Sequence, residues 1–560
     1  MPEIVSIGIQ DFEQMRRNHK FYVDKTNFIK EWWEKEDSVT LITRPRRFGK
    51  TLNMSMLEYF FANYHENRSD LFEGLSVWED ERYRALQGTY PVISLSFAGV
   101  KADNYAGARF QIFELVKMLW KKYPEIEPDE NLSLIQGQIQ ANGKGAIDDE
   151  MMSMTLNKLS ERLYTHYGKK VMIFLDEYDT PMQEAWISGY WDEIVNLFRN
   201  MFNNTFKTNP SMERAVITGI TRVSKESIFS DLNNLEVITT TSKQYATAFG
   251  FTEEEVFAAL DNQEMSDWKK EVKAWYDGFR FGGVEDIYNP WSIINFLNKK
   301  EFAAYWANTS GNGLISNLVQ SGNGDVKKIM EDLLDGKSFE TEIDEQIVFN
   351  QLAEKRNAIW SLLLASGYLK VVSHYQKRNG RYIYEMRLTN HEVMLMFENL
   401  VRDWFDKAGT AYNDFINALL KDDKKAMNHY MNSIALSTFS SFDSGNHPSG
   451  QSEPERFYHG FVLGLLVELR EVYHIQSNRE SGFGRYDVML EPLKENLPAI
   501  VMEFKVIDSD EEKKLADTVV AALAQIEEKN YDQTLLDKGI SPERIFHYGF
   551  AFEAKKVLIG

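Results

Sequence analysis

The chain has 560 residues, 43% of them apolar, and carries a net charge of −21 with no cysteine. Its length exceeds what one hydrophobic core usually organises, so about two to four domains are expected. The lack of cysteine excludes disulfides, thiolate zinc sites and cysteine nucleophiles. The acidic balance argues against binding nucleic acid through bulk charge, although it leaves room for a local basic groove.

Neither a targeting segment nor a membrane span is predicted. Residues 1–10 carry no long apolar run behind a basic start, and the densest apolar stretch, residues 461–469, is too short to cross a bilayer. We therefore expect a cytoplasmic protein that does not associate with membranes.

Short apolar runs alternate with amphipathic stretches through residues 1–245. Strands are predicted at residues 39–43, 91–97, 171–175 and 214–219, and the segment 171–175 is continuously apolar. Helical spacing connects Leu52, Met56, Tyr59 and Phe60, and again Ile112, Val116 and Leu119. Uninterrupted apolar strands between helices are typical of a parallel sheet that is covered on both faces. The pattern predicts an α/β domain.

A phosphate-binding loop is predicted directly after the first strand. Residues 44–51 read Arg-Pro-Arg-Arg-Phe-Gly-Lys-Thr and end in the Gly-Lys-Thr that opens a helix in such loops. Arg44 stands where the usual pattern has its first glycine. Lys50 is expected to reach the β and γ phosphates of a nucleotide, and Thr51 to ligate Mg²⁺. Other candidate nucleotide-binding residues in the loop are Arg46, Phe48 and Gly49.

Polar residues follow two later strands. Asp176 and Glu177 end the third strand, where an acidic pair is expected to hold Mg²⁺ through Asp176 and to polarise the attacking water through Glu177. Thr218, at the end of the fourth strand, is a candidate sensor of the γ-phosphate. Arg222 is either a cation that neutralises developing charge or an ordinary surface arginine.

The pattern becomes mostly helical over residues 246–440. Thr252 and Glu255 form a predicted capping box, and Asn379-Gly380 predicts the turn of a hairpin between strands at residues 368–374 and 381–388. Two aromatic segments, residues 275–279 and 288–292, are predicted to be packed turns between helices. Four tryptophans in this region are interpreted as core anchors, with base-stacking platforms as the alternative: Trp275, Trp291, Trp306 and Trp360.

A linker rich in Ser, Gly, Asn and Pro is predicted at residues 441–454, followed by a compact unit of helix, two strands, helix and strand. Asp487 lies on the first strand of that unit, and Glu503 and Lys505 lie on the next. Because side chains alternate along a strand, Glu503 and Lys505 point the same way. Carboxylates beside a cation suit metal-dependent phosphodiester cleavage, with Asp487 and Glu503 as metal ligands and Lys505 as the catalytic cation. Cross-strand ion pairing is the alternative.

Three segments together resemble one known family. Residues 21–26 (Phe-Tyr-Val-Asp-Lys-Thr), residues 44–51 and residues 175–179 (Leu-Asp-Glu-Tyr-Asp) closely resemble the AAA-ATPase-like family of bacterial proteins. Its members commonly carry a C-terminal PD-(D/E)XK nuclease-superfamily domain, and the missing first glycine is a trait of the family. The resemblance implies a P-loop NTPase-type parallel sheet, a helical middle region and a C-terminal α/β nuclease-like domain.

The resemblance also extends the predicted metal site. Glu455 matches an acidic residue that the superfamily often supplies from the preceding helix, and Glu468 is its rival. Gln525 and Tyr531 lie on the next predicted helix, where some relatives have a Gln-Tyr signature. Their spacing is wider than in those relatives, so we give this pair little weight.

These inferences predict four segments: residues 1–245, 246–440, 441–454 and 455–560. We expect ATP and Mg²⁺ as cofactors, with nucleotide occupancy controlling cleavage of nucleic acid phosphodiesters. The alternatives are a nucleotide-dependent sensor or scaffold whose C-terminal domain binds without cutting, and a purely structural C-terminal domain. If Arg222 acts on a neighbouring subunit, the protein is a homo-oligomer.

Overall fold

In the computed structural model of the chain, residues 39–43 form a fully buried interior strand of a parallel sheet. The five strands of this sheet are β1 (Val39–Thr43), β2 (Val92–Ser96), β3 (Val171–Asp176), β4 (Met212–Gly219) and β5 (Leu235–Ile238). Their order is β2-β3-β4-β1-β5, and every pairing is parallel. All residues of β1 and β3 are buried, which confirms the prediction of a sheet covered on both faces. The four predicted strands are confirmed, and β5 is an addition.

The structure describes residues 3–143, 146–221, 228–229, 232–306, 324–334, 336–343, 358–406, 411–442, 469–481, 484–494, 497–507, 514–553 and 556–560. The chain divides into two units, one of residues 1–310 with 340–393 and the other of residues 311–339 with 394–560. The boundaries between these units fall inside the predicted helical middle region, residues 246–440. The predicted linker at residues 441–454 lies almost wholly outside the described residues. No helix in the described part of the chain is long and apolar enough to cross a membrane.

Helices pack around the parallel sheet. They are α1 (Phe12–Arg17), α2 (Asn27–Lys35), α3 (Lys50–Phe61), α4 (Glu81–Arg84), α5 (Tyr105–Lys121), α6 (Glu130–Asn142), α7 (Asp149–Tyr167), α8 (Thr180–Ser188) and α9 (Trp191–Phe202). The helix predicted after the phosphate-binding loop is α3, and it begins at Lys50 immediately after β1 and the loop. The buried residues of α5 include Ile112, Val116 and Leu119, as the helical spacing predicts.

The rest of the first unit combines helices with two small sheets. The helices are α10 (Glu253–Asn262), α11 (Lys269–Tyr276) and α12 (Pro290–Lys299). They are followed by α13 (Gly324–Leu334), which belongs to the second unit, and by α14 (Ala358–Ala365), which belongs to the first. Helix α15 (His391–Asp406) begins in the first unit and ends in the second. Strands β6 (Phe251–Thr252), β7 (Phe279–Phe281) and β8 (Val284–Tyr288) form one sheet, and β9 (Phe339–Thr341), β10 (Leu369–Gln376) and β11 (Tyr382–Leu388) form the other. The capping box of Thr252 and Glu255 is confirmed at the start of α10, and the hairpin is confirmed as β10 and β11.

A partly buried ion pair connects residues 21–26, the first segment of the family resemblance, to α10. The Lys25 ammonium contacts the Glu255 carboxylate at 2.6 Å and donates to the carbonyl of Thr247 at 2.9 Å. Asp24 accepts hydrogen bonds from the backbone of Thr26 and of Ser76. This segment therefore fastens the start of the chain to the body of the first unit.

The second unit contains a five-stranded mixed sheet. Its strands are β12 (Tyr473–Ser481), β13 (Gly484–Pro492), β14 (Ala499–Val506), β15 (Ile545–Glu553) and β16 (Lys556–Ile559), and its helices include α16 (Ala411–Leu420), α17 (Lys424–Phe442), α18 (Leu515–Glu528) and α19 (Gln533–Asp537). The order is β12-β13-β14-β15-β16, with only β14 and β15 parallel. The two predicted strands that carry Asp487 and Glu503 are β13 and β14, whereas β12 and β16 are additions.

Close packing of α18 on the sheet depends on Gly549 in β15. A Cβ atom at this position would lie 2.8 Å from the carbonyl oxygen of Val519 in α18, so only glycine permits the approach. The outer strand β16 is covered by α17, where the amide side chains of Asn428 and Asn432 bond to the backbone of Ile559 and Val557. These amides satisfy strand groups that would otherwise form an open edge.

Candidate nucleotide and metal sites

Lys50 is held by the loop that precedes it. Its ammonium donates to the carbonyl oxygens of Arg44 at 3.0 Å and Pro45 at 2.9 Å, and the side chain is buried. Burial lowers the pKa of Lys50, while the nearby carboxylates of Glu177 and Asp176 act in the opposite direction. A buried ammonium held by loop carbonyls is suited to exchange these carbonyls for phosphate oxygens.

The start of α3 is open to an anion. Gly49 has a φ of 80°, in the left-handed region that glycine adopts without strain, and no side chain caps the helix. The N–H groups of a first helical turn lack partners within the helix, and the helix dipole favours negative charge there. Both properties favour phosphate binding next to Lys50.

Thr51, Asp176 and Thr218 come together at the carboxyl end of the sheet. Asp176 accepts hydrogen bonds from the hydroxyl of Thr51 at 2.8 Å and from the hydroxyl of Thr218 at 2.5 Å. Burial raises the pKa of Asp176, although these hydrogen bonds act the other way. Asp176 and Thr218 lie at the ends of the adjacent strands β3 and β4, and Thr51 follows β1, which adjoins β4. The topology therefore places hydroxyl and carboxylate oxygens together, as Mg²⁺ requires.

Glu177 follows Asp176 with its backbone in the left-handed region, at a φ of 52°. Its amide donates weakly to the Thr218 hydroxyl at 3.4 Å, and its carboxylate accepts from the hydroxyl of Thr180 at 3.3 Å. A non-glycine residue in this conformation is uncommon, and such outliers gather at functional sites. Arg222, the other predicted catalytic residue here, lies outside the described residues.

Asp179 is an anchor that the sequence did not identify. Its buried carboxylate accepts from the backbone of Ile220 at 3.0 Å, from the backbone of Thr221 at 2.9 Å and from the Thr221 hydroxyl at 2.9 Å. The phenol of Tyr178 also donates to the carbonyl of Thr221 at 2.8 Å. The residues after β3 therefore fix the chain immediately before Arg222.

Arg44 fills the interior at the point where the usual loop has a glycine. The guanidinium donates to the carbonyls of Thr43 at 2.9 Å and Thr239 at 2.7 Å, and it lies 4.6 Å from the ring of Phe281. Burial without a directly bonded carboxylate lowers the pKa of Arg44 to about 9. Arg44 thus joins the loop to the segment after β5.

The side chains of Arg46, Arg47 and Phe48 have different surroundings. Arg46 is exposed and donates to Gln183 at 3.0 Å, whereas the Arg47 guanidinium lies 4.3 Å from the ring of Trp291. Phe48 is buried against the rings of Phe279 and Phe281. The buried ring of Phe48 therefore cannot contact a nucleotide, which leaves only the backbone of this residue for such a contact.

The second candidate site lies where β13 meets β14. Val488 pairs with Met502, so one step further Asp487 lies opposite Glu503. Asp487 accepts from the backbone of Phe504 at 2.8 Å, and one oxygen of Glu503, Oε2, is buried without a hydrogen-bond partner in the described structure. Burial raises the pKa of both carboxyl groups, and the charge of Asp487 adds to the rise at Glu503.

Gln525 connects the charged residues of this site. Its carbonyl oxygen accepts from Lys505 at 2.7 Å, and its amide bonds to Glu503 and, at 2.9 Å, to the phenol of Tyr531. The arrangement fixes Lys505 on the same side of the sheet as Glu503, as the strand alternation predicts. Both members of the Gln-Tyr pair that we gave little weight are therefore in the site.

The remaining predicted ligand, Glu455, and its rival Glu468 lie outside the described residues. Within the described ranges no group of three or more His, Asp or Glu residues could hold a metal ion. The described part of the site supplies two carboxylates, and Glu455 stays a prediction.

Comparison with known sequences adds two matches. Residues 6–229 match the family described as "Predicted AAA-ATPase", and residues 453–560 match the PD-(D/E)XK nuclease superfamily. The chain joins an AAA-ATPase-like domain to a PD-(D/E)XK nuclease-superfamily domain. The first match contains the loop with Lys50 and the acidic pair at 176–177, and the second contains Asp487, Glu503 and Lys505.

The chain is also similar to proteins outside these two matches. It is 26% identical over 396 residues to an uncharacterized protein in the vnfD 5′ region of Azotobacter chroococcum mcd 1, covering 69% of this chain and 67% of the relative. Among solved structures it is similar to the Aeropyrum pernix ORC2 protein in its ADPNP and ADP complexes, with 10% identity, 71% of this chain and 96% of that chain covered, and a TM-score of 0.22.

Residues beyond the matched range of the AAA-ATPase-like domain donate hydrogen bonds to carbonyls within that range. The carbonyl of Arg46 accepts hydrogen bonds from Trp306 at 3.0 Å and from Asn289 at 3.3 Å, and the carbonyl of Phe48 accepts from the backbone of Gly250 at 3.3 Å. Residues 288–292, predicted as a packed turn, and Trp306, predicted as a core anchor with base stacking as the alternative, therefore contact the predicted phosphate-binding loop. No sequence signal linked them to it.

Proposed function

We propose that this protein binds and hydrolyses ATP at the carboxyl end of its parallel sheet and cleaves nucleic acid phosphodiesters at Asp487 and Glu503, in both cases with Mg²⁺. The first activity is supported above all by the hydroxyl of Thr51 paired with the buried Asp176. The second is supported above all by the buried, unpartnered Oε2 of Glu503 beside Asp487. A buried carboxylate oxygen without a partner is unfavourable unless a proton or a cation satisfies it.

At the nucleotide site each residue has one task. Lys50 would exchange loop carbonyls for phosphate oxygens, and Thr51 with Asp176 would hold Mg²⁺, which neutralises phosphate charge. Glu177 would orient the attacking water and accept its proton, while Thr218 would contact the γ-phosphate. Arg46 and the backbone of Phe48 and Gly49 complete the proposed nucleotide contacts, and Arg222 is the proposed cation for developing charge.

At the second site Asp487 and Glu503 would hold the divalent ion, with Glu455 as a further proposed ligand. A divalent ion held there supplies electrostatic stabilisation for the charge that develops on phosphate oxygens. Lys505, fixed by Gln525, would orient a water molecule toward the phosphorus and neutralise a phosphate oxygen. Tyr531 would hold the Gln525 amide in the orientation that this task requires.

The ATPase proposal is tested by Lys50→Ala, with Lys35→Ala as the matched control because Lys35 is an exposed lysine at the end of α2. Steady-state hydrolysis of ATP with Mg²⁺ is measured in both. We expect Lys50→Ala to lose at least about 100-fold in kcat/KM, since it removes a donor to the charge of the transition state. Turnover that is unchanged in Lys50→Ala would contradict the assignment.

The nuclease proposal is tested by Asp487→Asn, with Asp537→Asn as control because Asp537 is an exposed residue of the same unit. Labelled single-stranded DNA, duplex DNA and RNA are each incubated with Mg²⁺ or Mn²⁺. We expect the wild type and the control to cleave and Asp487→Asn to be inactive. Wild-type metal binding that depends on Asp487, without cleavage of any substrate, would favour a domain that binds without cutting.

The coupling of the two activities needs a separate comparison. ATP can control cleavage only if it binds two arrangements of the protein with different affinities. Cleavage by the wild type and by Lys50→Ala is therefore compared with and without ATP. Cleavage that responds to ATP in the wild type alone is the expected result, and equal cleavage in all four reactions would refute the coupling.

A further inference from the structure

The hairpin of β10 and β11 is a basic and aromatic feature on an acidic protein. Residues 369–388 contain five Lys or Arg and one Glu, a net charge of +4 in a chain whose net charge is −21. Every residue of the hairpin from 373 to 382 is exposed. A solvated turn accounts for the polar tip of a hairpin, but not for three tyrosines and a histidine along its strands.

One face of the hairpin carries a group of rings. His374 pairs across the strands with Tyr384, and Gln376 pairs with Tyr382, so these side chains share a face. The rings of His374 and Tyr384 are nearly parallel, with centroids 5.7 Å apart, and Tyr382 lies 5.9 Å from His374 and 6.4 Å from Tyr384. Tyr382 is nevertheless 46% exposed, so ring surface is left for a further stacking partner.

The tip of the hairpin supplies the cations. Lys377 and Arg381 contact the carboxylate of Glu342 at 3.8 Å and 3.2 Å and stay largely exposed. Arg378, between them, has no carboxylate within ion-pair distance among the described residues. On the opposite face of the hairpin, the phenol of Tyr375 donates a hydrogen bond to Glu340 at 3.2 Å. Lys377 alternates with Tyr375 and so lies on that opposite face. The exposed rings and the Arg378 guanidinium, which has no carboxylate partner among the described residues, therefore occur together in one hairpin.

We propose that this hairpin is a binding surface for single-stranded nucleic acid, with bases stacked on His374, Tyr382 and Tyr384 and a phosphate held by Arg378. Stacking on aromatic rings beside a cationic groove is how single strands are bound without sequence preference. The polar edges of Tyr and His and the positive charge favour this partner over an apolar protein surface. The inference extends the proposed function by naming the class of substrate, but the surface lies outside both proposed sites.

Binding is measured separately from cleavage. The full chain carrying Asp487→Asn is titrated in EDTA against a fluorescent oligothymidine of about 20 nucleotides, the matching oligouridine and a duplex of equal length. We expect both single strands to bind more tightly than the duplex. Replacing Tyr382 by Ala should weaken single-strand binding by about fivefold or more, while Tyr382→Phe retains the ring and the affinity.

Charge is tested by the salt dependence. Arg378→Ala should reduce the slope of log Kd against log salt concentration by about 0.7, the value for one phosphate contact on a single strand. Tyr164→Ala and Arg162→Ala, which change exposed residues of α7, are the matched controls and should leave affinity and slope unchanged.

Equal affinity in Tyr382→Ala and Tyr382→Phe, preference for the duplex, or no binding of single strands would each overturn the inference. None of these results bears on ATP hydrolysis or on metal-dependent cleavage, which are measured with other variants. Failure of the proposed nuclease function would show as intact binding without cleavage in the chain with Asp487 restored.

Discussion

The indole of Trp306 donates a 3.0 Å hydrogen bond to the carbonyl oxygen of Arg46, a residue 260 positions earlier in the chain. The amide of Asn289 reaches the same oxygen at 3.3 Å. Because a peptide unit is planar, fixing the carbonyl of Arg46 also fixes the direction of the N–H of Arg47. Residues outside the matched ATPase range therefore orient one backbone donor of the predicted phosphate-binding loop.

Replacing Trp306 by Phe should weaken ATP binding while leaving the fold intact. The change removes the donor to Arg46 but keeps a ring to pack against Phe279 and Tyr368. The loss of one hydrogen bond predicts an affinity lower by about 2- to 10-fold, measured by titration with a fluorescent ATP analogue. The control is Trp120→Phe, since the buried Nε1 of Trp120 has no hydrogen-bond partner in the described structure. An equal loss of ATP affinity in both variants would contradict the role of the hydrogen bond from Trp306 to Arg46.

Restoring the usual glycine with Arg44→Gly should harm the protein, although it recreates the common form of the motif. The guanidinium donates to the buried carbonyls of Thr43 and Thr239, and its removal deletes two charged hydrogen bonds that contribute about 1.5 to 3 kcal/mol each. We expect a lower melting temperature and weaker ATP binding. Arg47→Gly is the control, because Arg47 is exposed and has a φ of 65° that glycine adopts freely. Improved binding in Arg44→Gly would show that Arg44 is merely tolerated.

The parallel sheet could be predicted because burial on both faces requires continuous apolar runs. This holds for β1 and β3, whose residues are all buried. The alternation along β14 likewise places Glu503 and Lys505 on one side. In contrast, β12 has the mixed sequence Tyr-His-Ile-Gln-Ser-Asn-Arg-Glu-Ser, which shows no clear strand period, and it was missed.

Pairings between distant residues could not be predicted. Gln525 reaches Glu503 and Lys505 only because α18 packs closely over Gly549, and that contact sets the rotation of the helix. Counting residues between Lys505 and Gln525 gives no such information. The bond between Trp306 and Arg46 likewise depends on where the chain returns after α12, and aromatic composition alone predicts only that Trp306 is buried.

Asp179→Asn should destabilise the first unit. All three hydrogen bonds from Ile220 and Thr221 go to the same carboxylate oxygen, Oδ2. An amide keeps them only through a neutral and therefore weaker acceptor, and it places its NH2 group at the buried Oδ1 position, which has no partner in the described structure. We expect a loss of about 2 to 4 kcal/mol, seen as a lower melting temperature and faster hydrogen exchange at the amides of Ile220 and Thr221. Asp103→Asn, at an exposed position, is the control. Unchanged exchange at those two amides would rule out the anchoring role.

Glu503→Gln should stabilise the metal-free protein at alkaline pH. Folding raises the pKa of Glu503 through burial and the charge of Asp487, so the folded state holds its proton more tightly than the unfolded state does. Below about pH 4, the pKa of an unfolded glutamate, both states are protonated and the group has no effect on stability. As the pH rises through the interval up to the raised pKa, ionisation of the unfolded state removes stability from the wild type.

The substitution removes this penalty, so in EDTA the melting temperature of Glu503→Gln relative to wild type should increase from about pH 5 to about pH 9. Adding Mg²⁺ at the higher pH should then stabilise the wild type alone, because ligands must lose their protons before a metal binds. Glu553→Gln, an exposed position at the end of β15, controls for the change in net charge. A melting-temperature difference that does not change with pH would mean that Glu503 ionises normally and that no carboxylate pair is held ready for a cation.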